Sequence, residues 1–128
     1  MSELAGKVAF ITGAAHGQGR AVALALAKEG AHIVAFDVAK PLAYPGYTLG
    51  SESELDSLQH EIEALGGGCL TWQGDVRSDD DVTRAVEKAL INFGRIDILF
   101  NNAGICAYGL SHELPEEEWD AMLDINLK

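Results

Sequence analysis

The apolar run Val8-Ala9-Phe10-Ile11 passes directly into Thr12-Gly13-Ala14-Ala15-His16-Gly17-Gln18-Gly19 and then into the alanine-rich segment Arg20 to Lys28, a succession that leaves few folds open. It reads as a strand, a glycine turn and a helix. Glycines in such a turn let the backbone bend sharply and bring bare amide groups against an anion at the positive N-terminus of the helix. Gly13, Gly17 and Gly19 are not spaced as in the common G-x-G-x-x-G fingerprint, so the context has to carry the reading. A second apolar run, Ala31 to Phe36, supplies it. That run ends in Asp37, 18 residues after Gly19 and near the position expected of an acid that accepts ribose hydroxyls.

The rest of the chain continues the alternation. The pattern predicts strand one over about Lys7 to Thr12, helix one over Gln18 to Glu29 with Gly30 as its stop, and strand two over Ala31 to Asp37. Val38 to Gly50, with Pro41, Pro45, Gly46, Gly50, Tyr44 and Tyr47, reads as an irregular loop. Ser51 and Glu54 have the spacing of a capping box, and Leu55, Leu58, Ile62 and Leu65 fall on one face of the helix that follows. Gly66-Gly67-Gly68 ends it, and Cys69 to Gln73 is strand three. Ser78 caps helix three, Asp79 to Asp81 fill its first turn, and Val82, Val86, Ala89 and Leu90 form its apolar stripe. Ile96 to Phe100 is strand four. Pro115 and Glu116 to Glu118 open a fourth helix containing Trp119, Met122, Leu123 and Leu127. Strands separated by helices pair in parallel through right-handed crossovers, and ligands of such sheets bind beyond the carboxyl ends of the strands. Those ends here carry Thr12 to Gly19, Asp37, Asp75 and Asn101 to Gly104, small or polar groups in every case.

Composition narrows the partners. A chain of 128 residues, 48% hydrophobic and 23% charged, has the balance of one globular domain. Its net charge of -11, with no Lys/Arg cluster, argues against nucleic acid. The longest apolar stretch, Ala21 to Ala27, is far short of the roughly 20 residues that span a bilayer, and Met1 to Leu4 lack the basic start of a signal peptide, so a cytoplasmic location and no membrane partner are expected. Cys69 and Cys106 are isolated and read as reduced thiols in or near strands, and His32, His60 and His112 have no ligand spacing, so no metal site is expected. Asp79 to Asp81 read as a helix first turn. His16 reads either as a phosphate donor or as an exposed loop histidine.

T-G-A-A-H-G-Q-G after strand one, Gly74-Asp75-Val76 and Asn101-Asn102-Ala103-Gly104 together resemble the short-chain dehydrogenase/reductase family over essentially the whole chain. The resemblance implies an α/β fold: a Rossmann-type parallel sheet with helices on both faces, truncated after strand four and part of helix four, so that 1–128 is the NAD-binding portion of a single domain. It implies that Gly13, His16, Gly17, Gln18 and Gly19 border the cofactor diphosphate, and that Asp37, with Val38 beside it, selects NAD at the adenosine ribose. Asp75 and Val76 would meet the adenine, and Asn101, Ala103 and Gly104 the ribose side. Asn126 resembles the family's helix-four asparagine, which organises a catalytic proton relay through its backbone and a water. The Gly17-Gln18-Gly19-Arg20 ending and the insertion after Asp37 resemble the mycofactocin-coupled, carveol dehydrogenase-like branch, in which the insertion goes with a cofactor that does not freely exchange. Tyr44, Pro45 and Tyr47 then either fold over the adenosine half or form an ordinary surface loop.

The family's tyrosine, with a lysine four residues on, and its serine have no counterpart in these 128 residues. Tyr44, Tyr47 and Tyr108 are followed four positions on by Thr48, Ser51 and His112. The chain is therefore expected to bind NAD, with an alcohol or ketone substrate, activity and homo-oligomer assembly belonging to a full-length parent. A non-catalytic nucleotide-binding module and an S-adenosylmethionine-dependent methyltransferase are the alternatives. Strand four is expected to present an apolar edge, and helix four to leave Trp119, Met122 and Leu123 partly uncovered, with poor solubility as the consequence.

Overall fold

Alternating side chains along two strands that are apolar from Val8 to Ile11 and from Ile33 to Phe36 create two greasy surfaces, and helices of the chain pack on them. In the computed structural model, which describes residues 3–42, 49–106 and 109–127, the elements run β1 (Val8–Thr12), α1 (Gly17–Lys28), β2 (His32–Asp37), α2 (Glu52–Ala64), β3 (Cys69–Gln73), α3 (Asp79–Phe93), β4 (Ile98–Phe100) and α4 (Glu116–Asn126). The sheet is parallel, in the order β3-β2-β1-β4. Val8 pairs with His32 and Thr12 with Phe36 across β1 and β2, while β4 adds only three residue pairs to β1. The expected Rossmann-type α/β architecture is present.

On one face Ala9, Ile11, Ile33 and Ala35 meet Ala23 and Ala27 of α1 and Leu55, Leu58 and Ile62 of α2. On the other, Val8, Phe10, Val34 and Phe36 meet Ala85 and Ala89 of α3, with the Phe10 and Phe36 ring centroids 5.9 Å apart. Fully burying side chains such as Ile33, Leu58 and Ile62 contributes roughly 1.5–3 kcal/mol each. The small residues of α1 let its backbone lie close to the sheet, which brings its N-terminus over the end of β1. Cys69 is buried and its thiol is pushed up to about 12, by burial first and by Glu63 second, so it behaves as a small apolar side chain.

Some boundaries and faces differ from the sequence reading. β4 begins at Ile98 rather than Ile96, because only from Asp97, whose N–H donates to the Val8 carbonyl at 2.8 Å, is the strand close enough to pair. Leu65 and Leu90 are exposed, not packed: Leu65 is the residue that closes α2, and the stripe of α3 is centred on Ala85 and Ala89. Cys106 lies exposed after β4 instead of in a strand. Pro115 and Glu116 to Glu118 open α4 as expected, Pro115 as its cap residue. Trp119 and Leu123 are exposed as expected, and Met122 is half-buried. Among the described residues no helix is long and apolar enough to cross a membrane.

Candidate functional site

Four helix N-termini behave in two ways. At α2 the Ser51 hydroxyl accepts the Glu54 N–H at 3.2 Å, and at α3 the Ser78 hydroxyl accepts the Asp81 N–H at 3.1 Å. Their first turns carry Glu52 and Glu54, and Asp79 to Asp81, while that of α4 carries Glu116 to Glu118. α1 alone among the described helices has neither: His16 precedes it without a side-chain cap, and its first turn holds no acid. Its amide donors and positive end are left to an outside anion.

The turn before α1 is held open by contacts that admit only glycine. Gly13 and Gly17 have φ of +66° and +61°. A Cβ at Gly19 would fall onto the Gly13 carbonyl oxygen and lie 2.7 Å from Asn102 Nδ2, and one at Gly13 would lie 3.0 Å from the Ala103 Cα. The turn is thus pressed against 101–104. Thr12 makes that contact specific, its hydroxyl oxygen accepting the N–H groups of Asn102 and Ala103, each at 3.0 Å, while Asn102 Nδ2 donates to the Gly13 carbonyl at 3.3 Å. The sequence reading gave Thr12 and Asn102 no role of their own. A hydroxyl at the end of an apolar strand and a second asparagine were the available signals.

Asp37 ends β2 and is 5% exposed. Its Oδ2 accepts the Ala15 N–H at 3.0 Å and its Oδ1 accepts the Ala39 N–H at 2.8 Å, the second bond closing a turn in which Ala39 adopts a φ of +51°. Each carboxylate oxygen keeps capacity for another donor. Gly50 lies so close that a Cβ there would be 3.0 and 3.2 Å from the two oxygens, an approach the sequence reading did not foresee. At the end of β3, Asp75 is gripped by Arg77 through three side-chain bonds of 2.6–3.1 Å and by the Arg77 N–H at 2.9 Å. Those guanidinium hydrogen bonds hold its carboxyl below the usual carboxylate range. The Asp75 N–H in turn donates to Asp81 at 2.9 Å, so that acid fixes the loop as well as the helix end.

These strand ends open on one cleft of about 80 Å³. It brings together Gly13, His16, Asp37 and Val38 on one side with Asp75, Val76, Ala103 and Gly104 on the other. Leu42 and Leu49, the described ends of the insertion, add apolar wall, while Tyr44, Pro45 and Tyr47 lie outside the described residues. Four expected cofactor positions, Gly17, Gln18, Gly19 and Asn101, are not in the cleft lining. Gln18 is exposed on the first turn of α1, Gly19 is buried beneath the turn, and Asn101 is exposed beside an adjoining groove, which shares Val76, Ala103 and Ile125 with the cleft and is also lined by Phe10, Leu99 and Asn126. Gly17 borders the turn at the start of α1. Asn126 sits at the end of α4, where its carboxamide accepts the Ile105 N–H and donates to the Ile105 carbonyl, both at 2.8 Å, clamping the loop next to Gly104.

A family model described as short chain dehydrogenase matches residues 7–128. The (-)-trans-carveol dehydrogenase of Rhodococcus erythropolis is 43% identical over 128 residues, covering 99% of this chain and 46% of that protein. A 3-oxoacyl-[acyl-carrier-protein] reductase of Thermotoga maritima is 42% identical over 125 residues, covering 98% of this chain and 46% of its own length. Among solved structures, carveol dehydrogenase from Mycobacterium avium in complex with NAD superposes with a TM-score of 0.94 at 38% identity, again over 99% of this chain and 46% of the other. The chain spans about half the length of the curated relatives it matches. With the parallel sheet, the uncapped glycine turn and the family match in agreement, the chain belongs to the short-chain dehydrogenase family.

Proposed function

We propose that residues 1–128 form the NAD-binding portion of a single-domain oxidoreductase that interconverts a small-molecule alcohol and ketone, with the serine, tyrosine and lysine of the family's proton transfer lying outside this sequence. The observation that carries the reading is the Asp37 carboxylate at the cleft, held by two backbone amides beside a helix N-terminus with no cap of its own. The residues fit the cofactor. Gly13, His16, Gly17, Gln18 and Gly19 would border the diphosphate at the positive end of α1, where bare amides and the absence of a first-turn acid favour an anion. Asp37, with Val38 beside it, would accept the adenosine ribose hydroxyls and repel a 2′-phosphate. Asp75, kept ionised by Arg77, would accept from the adenine amine, with Val76 next to it. Ala103 and Gly104 would line the far side, with Asn101 near the nicotinamide half. The relative solved with NAD supports the same cofactor.

When bound, the nicotinamide supplies a hydride donor or acceptor. Asn126 is the catalytic contributor in this portion. It organises a proton relay through its backbone and a water, while its side chain, bonded twice to Ile105, holds that backbone in place. The 128 residues alone are expected to bind cofactor without turning over. Assembly into a homo-oligomer belongs to the same reading, through the exposed Trp119 and Leu123 of α4, as does a cytoplasmic location. Fluorescence titration with NADH and NADPH tests it: NADH is expected to bind more tightly, and equal affinities would remove Asp37 from the ribose. Because Asp37 also satisfies two buried amides, Asp37→Ala lowers stability as well as weakening NADH by roughly 1.5–3 kcal/mol, and the NADH to NADPH ratio is the cleaner readout.

A further inference from the structure

Arg20, one residue past the glycine turn, directs its guanidinium to four acceptors on two sides. Nη1 donates to the Ala15 carbonyl at 3.2 Å and to the Glu54 carbonyl at 2.8 Å, and Nη2 donates to Ser57 Oγ at 2.8 Å and Glu61 Oε2 at 3.0 Å. The ion pair is the lesser part of this, since Glu61 is 52% exposed and such pairs are weak. The two carbonyls matter more, because Nη1 spans them with its two N–H groups at the end of a planar arm longer than a lysine's stem. Ala15 is the residue whose N–H donates to Asp37 Oδ2 at 3.0 Å. On the other side, Glu54 belongs to the capping box of Ser51, with bonds from its N–H to the Ser51 hydroxyl at 3.2 Å and between the two side chains at 3.2 Å. Gly50, which precedes Ser51, is the residue packed against both the Asp37 carboxylate and the Ala15 methyl. Arg20 therefore holds both walls between which the carboxylate sits.

We infer that Arg20 is a positioning residue for the adenosine-ribose site, fixing the Asp37 carboxylate by tying Ala15 on one side to the Gly50–Glu54 start of α2 on the other. The inference rests on the NAD reading of Asp37. A carboxylate held in place both accepts the ribose hydroxyls and repels a 2′-phosphate, and one whose walls move does less of each. Loss of the fork therefore lowers the preference for NADH over NADPH, which a purely structural staple between two helices would leave unchanged.

The test is the pair of dissociation constants for NADH and NADPH, read by nicotinamide fluorescence on the 128-residue chain and its variants. Arg20→Met is expected to weaken NADH by roughly tenfold, the equivalent of about 1.4 kcal/mol, and NADPH much less. The double variant Ser57→Ala with Glu61→Gln, which leaves both carbonyl contacts of Nη1 intact, is expected to keep the ratio within about twofold. If Arg20→Met does not fold, Arg20→Lys replaces it, with a reduced ratio expected. A ratio unchanged in Arg20→Met, or in Arg20→Lys, overturns the inference, as does a ratio that falls equally in the double variant. An unsubstituted chain with no preference for NADH would instead overturn the NAD reading itself.

Discussion

The two faces of the sheet begin from the same strands and end differently. Ala9, Ile11, Ile33 and Ala35, all 0% exposed, are closed over by two helices, and the cleft lies beyond the carboxyl ends of these strands. The opposite face has α3 over its centre, but toward β4 it opens into a groove bordered by Phe10, Val82, Val86 and Leu99, with Leu99 61% exposed. The difference teaches where the chain invests its order. Packing is complete beneath the glycine turn and the Asp37 carboxylate, and incomplete along β4, one of the two edge strands.

The strongest way to break that contrast is truncation on each side. Leu58→Ala, beneath α2, is expected to cost about 2–5 kcal/mol, whereas Leu99→Ala on the open side stays within about 0.5 kcal/mol. Urea midpoints check both, and equal losses would mean that the open face is packed after all. Next comes Gly19→Ala, in which a methyl must displace the Gly13 carbonyl. A loss of about 1–3 kcal/mol is expected, together with loss of NADH binding, and a melting curve and cofactor response like those of the unsubstituted chain would contradict the close approach.

What could be read beforehand follows the same division. β3, the Ser51 and Ser78 caps and the α1 turn were legible because local rules decide them: an apolar run between glycines, a hydroxyl three residues before an acceptor, a turn that needs bare backbone. Contacts between distant segments were not. Nothing in Asp37 itself announces the amides of Ala15 and Ala39 or the pressure of Gly50, and Arg20 stands out in the sequence only as the end of the Gly17–Arg20 motif, its contacts with α2 being invisible there. Leu90 was misplaced for a related reason. A helix stripe fixes which side faces inward but not how wide it is: Val82, Val86, Ala89 and Phe93 carry it, Phe93 stacking on His32 with ring centroids 5.1 Å apart, while Leu90 falls at its edge and stays in water.

The helix ends give a smaller contrast. Ser51→Ala and Ser78→Ala are expected to cost about 1 kcal/mol each, while His16→Ala, at a helix start without a side-chain cap, leaves stability almost unchanged. A His16 variant as unstable as the serine variants would show that the α1 terminus is capped internally. The response to acid comes next. Arg77 holds Asp75, and Arg95 together with the Val8 N–H holds Asp97, below the ordinary carboxylate value of 3.8. Their folded values are depressed, so the stability they add is fully present above the unfolded value near 4 and is lost as pH falls through the lower folded values. Urea midpoints flat from pH 7 to 5 and falling below pH 4 are expected, and a shallower fall in Arg77→Gln. Smallest is Ala39→Gly, which relieves a left-handed alanine and is expected to be neutral or to stabilise by up to about 1 kcal/mol. A clear loss in its melting temperature would contradict that.

On the proposed reading the dinucleotide enters at the carboxyl ends of β1, β2 and β3 and does not lie against Val82, Val86 and Leu99. Amide chemical shifts of the 15N-labelled chain, followed while NAD is added, test this residue by residue. The shifts are expected to concentrate at Gly13 to Gly19, Ala39, Asp75 and Val76, and Ala103 and Gly104, leaving Val82, Val86 and Leu99 unmoved. Shifts centred on Val82, Val86 and Leu99, or none at the glycine turn at saturating NAD, would contradict it.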